Sequence, residues 1–85
     1  MPWAREVNIR ETRERLRRLE EAGCTKIRID GVTPAPLGRG RPKPSFFVAF
    51  LYLPNGDRIR AEGREADQAA KGLASAAERK LAAAS

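Results

Sequence analysis

The chain has 85 residues and a net charge of +6, which leaves room for one small domain with a modest core and excludes a deep catalytic cavity. It contains no histidine and one cysteine, so histidine-based acid–base catalysis, an internal disulfide and the usual zinc sites are excluded. The single Cys24 favours a reducing cytosol, and the basic balance favours an acidic partner, with nucleic acid the first candidate.

Catalytic and membrane functions are both disfavoured by the sequence. We find no nucleophile beside a base, no glycine loop that could cradle a phosphate and no cluster of metal ligands. We therefore expect a protein that is not an enzyme and uses no cofactor or metal. No apolar run reaches the length of a membrane span, and residues 1–6 lack the apolar run of a secretory signal. These features predict a cytoplasmic protein without a membrane partner, associated with the nucleoid if it is bacterial.

The first periodic segment predicts a helix over residues 8–22. An apolar stripe recurs at intervals of three and four residues, and Asn8 with Glu11 fits a variant of the capping box. Gly23 is the predicted stop. The stripe consists of Ile9, Thr12, Leu16 and Leu19.

The connection at residues 31–44, which follows a short alternating strand at residues 24–30, is long for a hairpin. It contains four prolines and three glycines. Its second half, residues 38–44, holds three cations and no acid. A segment of this composition cannot build a core, so we expect it to contact something negative.

The centre of this segment reads Arg39-Gly40-Arg41-Pro42, followed by Lys43. Two arginines suit the narrow and negative minor groove of A·T-rich DNA, where the intervening glycine permits close approach and the proline keeps the chain extended. The segment resembles the AT-hook of the high-mobility-group A chromatin proteins, and this resemblance implies minor-groove binding. A basic linker without such a role is the alternative.

Two further strands and a second helix complete the pattern. Residues 45–53 form the strongest strand, apolar on both faces, and a tight turn at Pro54 to Gly56 leads to an alternating strand at residues 57–62. Residues 65–83 form an alanine-rich helix, and residues 82–85 are predicted to fray. The whole chain, residues 1–85, is predicted to form one basic domain.

The predicted fold is α+β, in the order α-β-β-β-α, with a three-stranded antiparallel sheet and both helices packed on one face. This order resembles the double-stranded-RNA-binding domain. The resemblance implies that the loop between the first two strands enters a minor groove and that the start of the last helix contacts phosphate. Arg64 and Lys71, near that helix start, are further candidate contacts for nucleic acid. The family's lysine positions are Ala66, Asp67 and Ala70 in this chain, so DNA ranks above RNA.

The sheet itself offers another nucleic-acid surface. The face away from the helices should display Lys26 and Arg28, then an apolar row, then Arg58 and Arg60. This pattern is similar to that of plant AP2 domains and the arm-binding domains of phage integrases, and the similarity implies a sheet lying in the major groove. The same row could instead pack in a homodimer. The row is either Phe46, Val48, Phe50 and Tyr52 or the opposite one, Phe47, Ala49, Leu51 and Leu53.

Three functions follow from these patterns. The first is a small accessory or architectural protein that binds double-stranded DNA, with Arg39 and Arg41 in the minor groove and Lys43, Arg58 and Arg60 on phosphates. The second is a protein-interaction module, such as a phage or mobile-element factor that acts on a host complex. The third is a double-stranded-RNA binder.

Overall fold

The computed structural model describes residues 7–32 and 46–84. The chain order is α1 (Arg10–Glu21), β1 (Thr25–Val32), β2 (Phe46–Tyr52), β3 (Arg58–Gly63) and α2 (Ala66–Ala84). The strands form an antiparallel sheet in the order β1-β2-β3, and α2 packs against it with α1 alongside. The predicted α-β-β-β-α fold is confirmed. The predicted contact residues Arg39 to Lys43 lie outside the described residues.

The central strand β2 divides the sheet into two chemically different faces. Ala49 pairs with Ile29 on one side and with Ala61 on the other, and all three side chains point towards the helices. The next residue, Phe50, pairs with Arg28 and Arg60 on the opposite face. Since side chains alternate along a strand, these pairings also assign each remaining regularly paired residue to one of the two faces.

The core lies between the sheet and the helices. On α2 the buried positions are mostly alanines, and these small side chains let the helix axis lie close to the strands. The largest fully buried side chains come from four different segments, so the core joins every layer of the fold. They are Val7, Leu16, Leu51 and Leu73.

The start of α1 differs from the prediction. The helix begins at Arg10 with Ile9 as its N-cap and without a side-chain cap, so the predicted capping role of Asn8 is wrong. Instead, Asp67 Oδ1 on α2 accepts the backbone N–H of Asn8 at 2.7 Å and that of Ile9 at 3.2 Å. Ile9 is 47% exposed, whereas Val7 is fully buried. The acceptor on α2 thus sets how the chain enters α1, and Val7 replaces Ile9 in the apolar stripe.

The end of α1 follows the prediction at Gly23. Its φ of +105° is left-handed, and its N–H donates to Glu20 O while the Cys24 N–H donates to Leu19 O, both at 3.0 Å. This is a Schellman motif, which satisfies the last carbonyls of the helix. An added Cβ at Gly23 would meet Pro54 Cγ at 3.0 Å, so both backbone and space require glycine.

The other boundaries lie within two residues of those predicted. β1 continues through Val32, two residues past the predicted strand and into the predicted loop. The helix α2 continues to Ala84 and so includes residues 82–84, which were predicted to belong to a fraying tail. Alanine is the best helix former, and no glycine or proline stands there to stop the helix.

Candidate nucleic-acid interface

The sheet face opposite the helices is called the outer face here. An apolar column runs down its centre, formed by Phe46, Val48, Phe50 and Tyr52 of β2. Val48 is 9% exposed, while the three aromatic residues are half-buried. Among the described residues, no other element covers this face. The column is therefore an apolar surface with charged strands on both sides.

Two rows cross the column, and they carry opposite charges. The basic row is Arg28, Phe50 and Arg60, and the acidic row is Asp30, Val48 and Glu62. Along β1 the Arg28 Nε lies 3.4 Å from Asp30 Oδ2, and along β3 the Arg60 Nη1 lies 2.6 Å from Glu62 Oε1. Both of these arginines are thus partly neutralised by a carboxylate two residues along the same strand.

Lys26 lies near Tyr52, at one end of the outer face. The pairing of β1 with β2 shifts between Thr25 and Arg28, and Lys26 adopts a φ of +55° within this irregularity. Its Nζ lies 5.3 Å from the centroid of the Tyr52 ring, a cation–π arrangement. Lys26 therefore joins the outer face as predicted, but through a bulge rather than through regular alternation.

A cationic groove runs along the edge of the sheet, where β3 meets the second half of α2. This β3–α2 groove has a volume of about 500 Å³, and no carboxylate lines it. Arg58, Arg79 and Lys80 form no ion pair with another described residue. The lining consists of Arg58, Ile59, Arg60, Ala76, Arg79, Lys80 and Ala83.

The sequence prediction included Arg58 and Arg60 but missed Arg79 and Lys80. A signal for them exists, because residues 76, 79, 80 and 83 recur at the three- and four-residue spacing of one helix stripe. The apolar stripe of the helix is the stronger pattern and conceals this second one. The structure shows that the second stripe of α2 borders β3.

The remaining predicted contacts are not gathered in one place. Arg64 lies just before α2 and is exposed, and its backbone N–H donates to Gln68 Oε1 at 3.0 Å. Lys71 is exposed on the side of α2 that carries Asp67 and Ser75, both of which contact α1 or the residues before it. Lys71 therefore lies on the opposite side of α2 from the β3–α2 groove.

The residues that flank the undescribed part of the basic connection lie side by side in the sheet. Val32 pairs with Phe46, so the chain leaves and re-enters the sheet at neighbouring positions. Phe46 is the last residue of the apolar column at that end. Any contact made by Arg39 or Arg41 is therefore tethered to one end of the outer face.

The arginines of α1 are largely engaged with acids. Arg10 lies 3.8 Å from Glu14, and Arg17 lies 3.5 Å from Glu21, both with the four-residue spacing of exposed helix pairs. Arg13 Nε donates to the Val7 carbonyl. The outer surface of α1 thus presents cations and acids together and is a poor candidate for a polyanion.

Arg15 connects the two helices. Its guanidinium donates to both carboxylate oxygens of Glu78, to Oε2 at 3.2 Å, and its Nη2 also donates to Ser75 Oγ at 3.1 Å. These hydrogen bonds lower the pKa of Glu78 below its usual value and raise the pKa of Arg15. The pair is a structural clip between α1 and α2.

Burial raises the pKa of the Cys24 thiol, which makes it a weaker nucleophile.

No protein-family model, no curated protein and no solved structure matches the chain. Across residues 7–32 and 46–84, no helix is long and apolar enough to cross a bilayer. Within the same ranges, no three side chains of the metal-ligating types come together. The function is therefore argued from the residues and their geometry alone.

Proposed function

We propose that this protein binds double-stranded DNA, with Arg39 and Arg41 in the minor groove of an A·T-rich site. The observation that carries the proposal is the Arg-Gly-Arg-Pro segment itself, placed in a connection whose two ends are paired at Val32 and Phe46. A loop tethered at both ends loses less conformational freedom on binding than a free tail, so its arginines reach the groove at a lower entropic cost.

The β3–α2 groove supplies a second contact in this proposal. Its cations Arg58, Arg79 and Lys80 suit the phosphate backbone, which is recognised by charge and carries no sequence information. Arg58 lies opposite Tyr52, at the far end of β2 from the loop. The seven residues of β2 span about 20 Å, so loop and groove can reach one duplex within a single helical turn.

The test is the affinity for short A·T-rich and G·C-rich duplexes, measured by fluorescence anisotropy at low salt. The double variant R39A/R41A should weaken binding to the A·T-rich duplex by at least tenfold and remove the preference for it, because neither arginine then reaches the minor groove. The matched control is R10A/R17A, which removes two exposed arginines that already pair with acids on α1.

The control should retain both the affinity and the preference to within about a factor of two, because its arginines are screened by neighbouring carboxylates. Equal binding of R39A/R41A and wild type to the A·T-rich duplex would refute the loop assignment. Competition between DNA and RNA duplexes of equal length separates the DNA proposal from the double-stranded-RNA alternative, because the two differ in groove shape and 2′-hydroxyls.

A protein-interaction module is the second candidate. The observation that favours it is the outer face, where the half-buried aromatic residues of the apolar column border solvent and where Arg28 and Arg60 are already paired with acids. Such a face suits a protein partner better than a polyphosphate. If the protein binds neither duplex DNA nor duplex RNA at low salt, this candidate replaces the first.

A further inference from the structure

The outer face is complementary to itself. Its central column reads Phe46, Val48, Phe50, Tyr52, and the basic and acidic rows cross it at Phe50 and Val48. The midpoint of the column therefore lies between a row with two arginines and a row with two carboxylates. We propose that two copies of this chain pack through this face as a two-fold symmetric sandwich.

The two-fold axis of this dimer lies in the interface, parallel to the rows and midway between them. Rotation about it places the basic row of one copy over the acidic row of the other. Arg28 then faces the second copy's Asp30, and Arg60 faces the second copy's Glu62. The same operation repeats each pair on the other side of the axis, as an isologous interface requires.

The apolar column is matched by the same rotation. Phe50 lies over the second copy's Val48, and Phe46 lies over the second copy's Tyr52, so each aromatic ring meets an apolar side chain or another ring. The dimer would have the layer order helices, sheet, sheet, helices, with the two sheets about 10 Å apart as in other sandwiches. The apolar atoms are covered, while Tyr52 at the margin keeps its hydroxyl near water.

Charge selects this orientation over its alternative. A two-fold axis parallel to the strands would place Arg28 over the second copy's Arg60 and Asp30 over its Glu62. Those contacts join like charges, so that sandwich is penalised at four positions, whereas the proposed one gains opposite charges at four. The ion pairs within each copy, Arg28–Asp30 at 3.4 Å and Arg60–Glu62 at 2.6 Å, already hold the charged groups beside the apolar column.

The area of the outer face sets how tightly two copies are expected to associate. Strands of eight, seven and six residues give a face about 20 Å long and about 14 Å wide. The two copies together then cover about 600 Å² of face, below the roughly 1,200 Å² at which standard specific interfaces begin, so we expect a weak, reversible dimer with a Kd on the order of 100 μM. Arg79 and Lys80 lie on α2, outside the interface, so these two proposed DNA contacts can be removed without altering the face that forms the dimer.

The experiment is sedimentation equilibrium of the full chain between about 1 μM and about 1 mM, a range that spans the expected Kd. Wild type should pass reversibly from monomer to dimer. The variant R28E/R60E should associate at least tenfold more weakly, because all four charged positions of the face are then acidic and every facing pair joins like charges in either orientation of the sandwich. The control R60E/E62R should dimerise like wild type, because exchanging the two charges within one strand leaves opposite charges at every facing pair.

The variant R28E/R60E lowers the net charge of +6 by four and so weakens the overall repulsion between copies, whereas R60E/E62R leaves the net charge unchanged. Weaker association of R28E/R60E therefore reports the arrangement of charge on the face and not its total amount. Circular dichroism checks the folding of both variants. If R28E/R60E does not fold, dilution of the wild type followed by NMR decides instead, with the amide shifts of Val48 and Phe50 expected to move while that of Lys71 stays fixed. A wild type that stays monomeric, a control that fails to associate, an R28E/R60E variant that binds as tightly as wild type, or dilution shifts on another surface would each overturn the proposal.

Discussion

Gly63 and Gly72 both lie where α2 meets β3, but the space beside them differs. A Cβ added to Gly63 would come within 2.7 Å of the Ala69 backbone nitrogen and of Gln68 Cβ, so the start of α2 would have to move. A Cβ added to Gly72 would meet Ala61 Cβ at 3.4 Å, an ordinary contact. Gly63 is therefore required by packing, while Gly72 is a glycine in a helix interior that packing does not require.

Opposite stability changes follow for the two alanine variants. Gly63→Ala should lower the free energy of unfolding by about 1–3 kcal/mol through overpacking. Gly72→Ala should raise it by about 0.5–1 kcal/mol, because alanine restricts the unfolded chain and favours the helix. Urea titration of both variants beside wild type measures the difference. Equal effects of the same sign would contradict the assignment.

Asp67 shows why some residue roles could not be predicted from the sequence. Asn8 and Glu11 satisfy a local capping rule, and the predicted cap rested on that rule. The structure uses an acceptor 59 residues away for the Asn8 N–H. A partner this distant in sequence is chosen by how α1 and α2 pack, and no local spacing records that choice.

At the scale of elements, α1 and α2 are held together by Arg15, Ser75 and Glu78. Hydrogen bonds from Arg15 lower the pKa of Glu78 in the folded protein. A carboxyl group with a lowered folded pKa stabilises the fold above its unfolded pKa, and this contribution is lost as the pH falls through the folded pKa. The carboxylate is 44% exposed, so solvent screens the pair and the contribution is small.

Glu78→Gln should therefore lower the free energy of unfolding by about 0.5–1 kcal/mol at pH 7. The deficit relative to wild type should shrink as the pH falls from about 5 towards 3, where wild-type Glu78 also becomes neutral. Glu21→Gln is the matched control, because it removes an exposed partner within α1. Thermal unfolding at several pH values gives both curves, and a Glu78→Gln deficit that persists unchanged at low pH would argue against the clip.

The elements themselves were accessible from the sequence, because the apolar run over residues 45–53 and the alanine stripe of α2 are strong signals. What the sequence did not contain was the register between strands. The basic and acidic rows exist only because Phe50 pairs with both Arg28 and Arg60. The sequence shows each charged residue but not its neighbour across the sheet, so the basic and acidic rows became apparent only in the structure.

Across the whole molecule, the net charge of +6 is unevenly spread. Acid pairs offset several arginines of α1 and of the outer face, Arg60 included. Residues 38–44 contain no acid in the sequence, and the groove cations Arg58, Arg79 and Lys80 form no ion pair with another described residue. Charge of this kind supports long-range attraction to a polyanion. How the charge is distributed over the surface therefore matters more for binding than the net charge.

The groove can be tested separately from the loop through the salt dependence of DNA binding. Arg79→Ala with Lys80→Ala should reduce the slope of log affinity against log salt by about 0.9 for each phosphate that the variant no longer neutralises. The preference for A·T-rich over G·C-rich duplex should stay as in wild type, because phosphate contacts do not read sequence. Anisotropy titrations between about 50 and 200 mM salt measure both quantities, with R10A/R17A as the equal-charge control. If the two double variants change the slope by the same amount, the effect is one of total charge and the groove makes no specific contact.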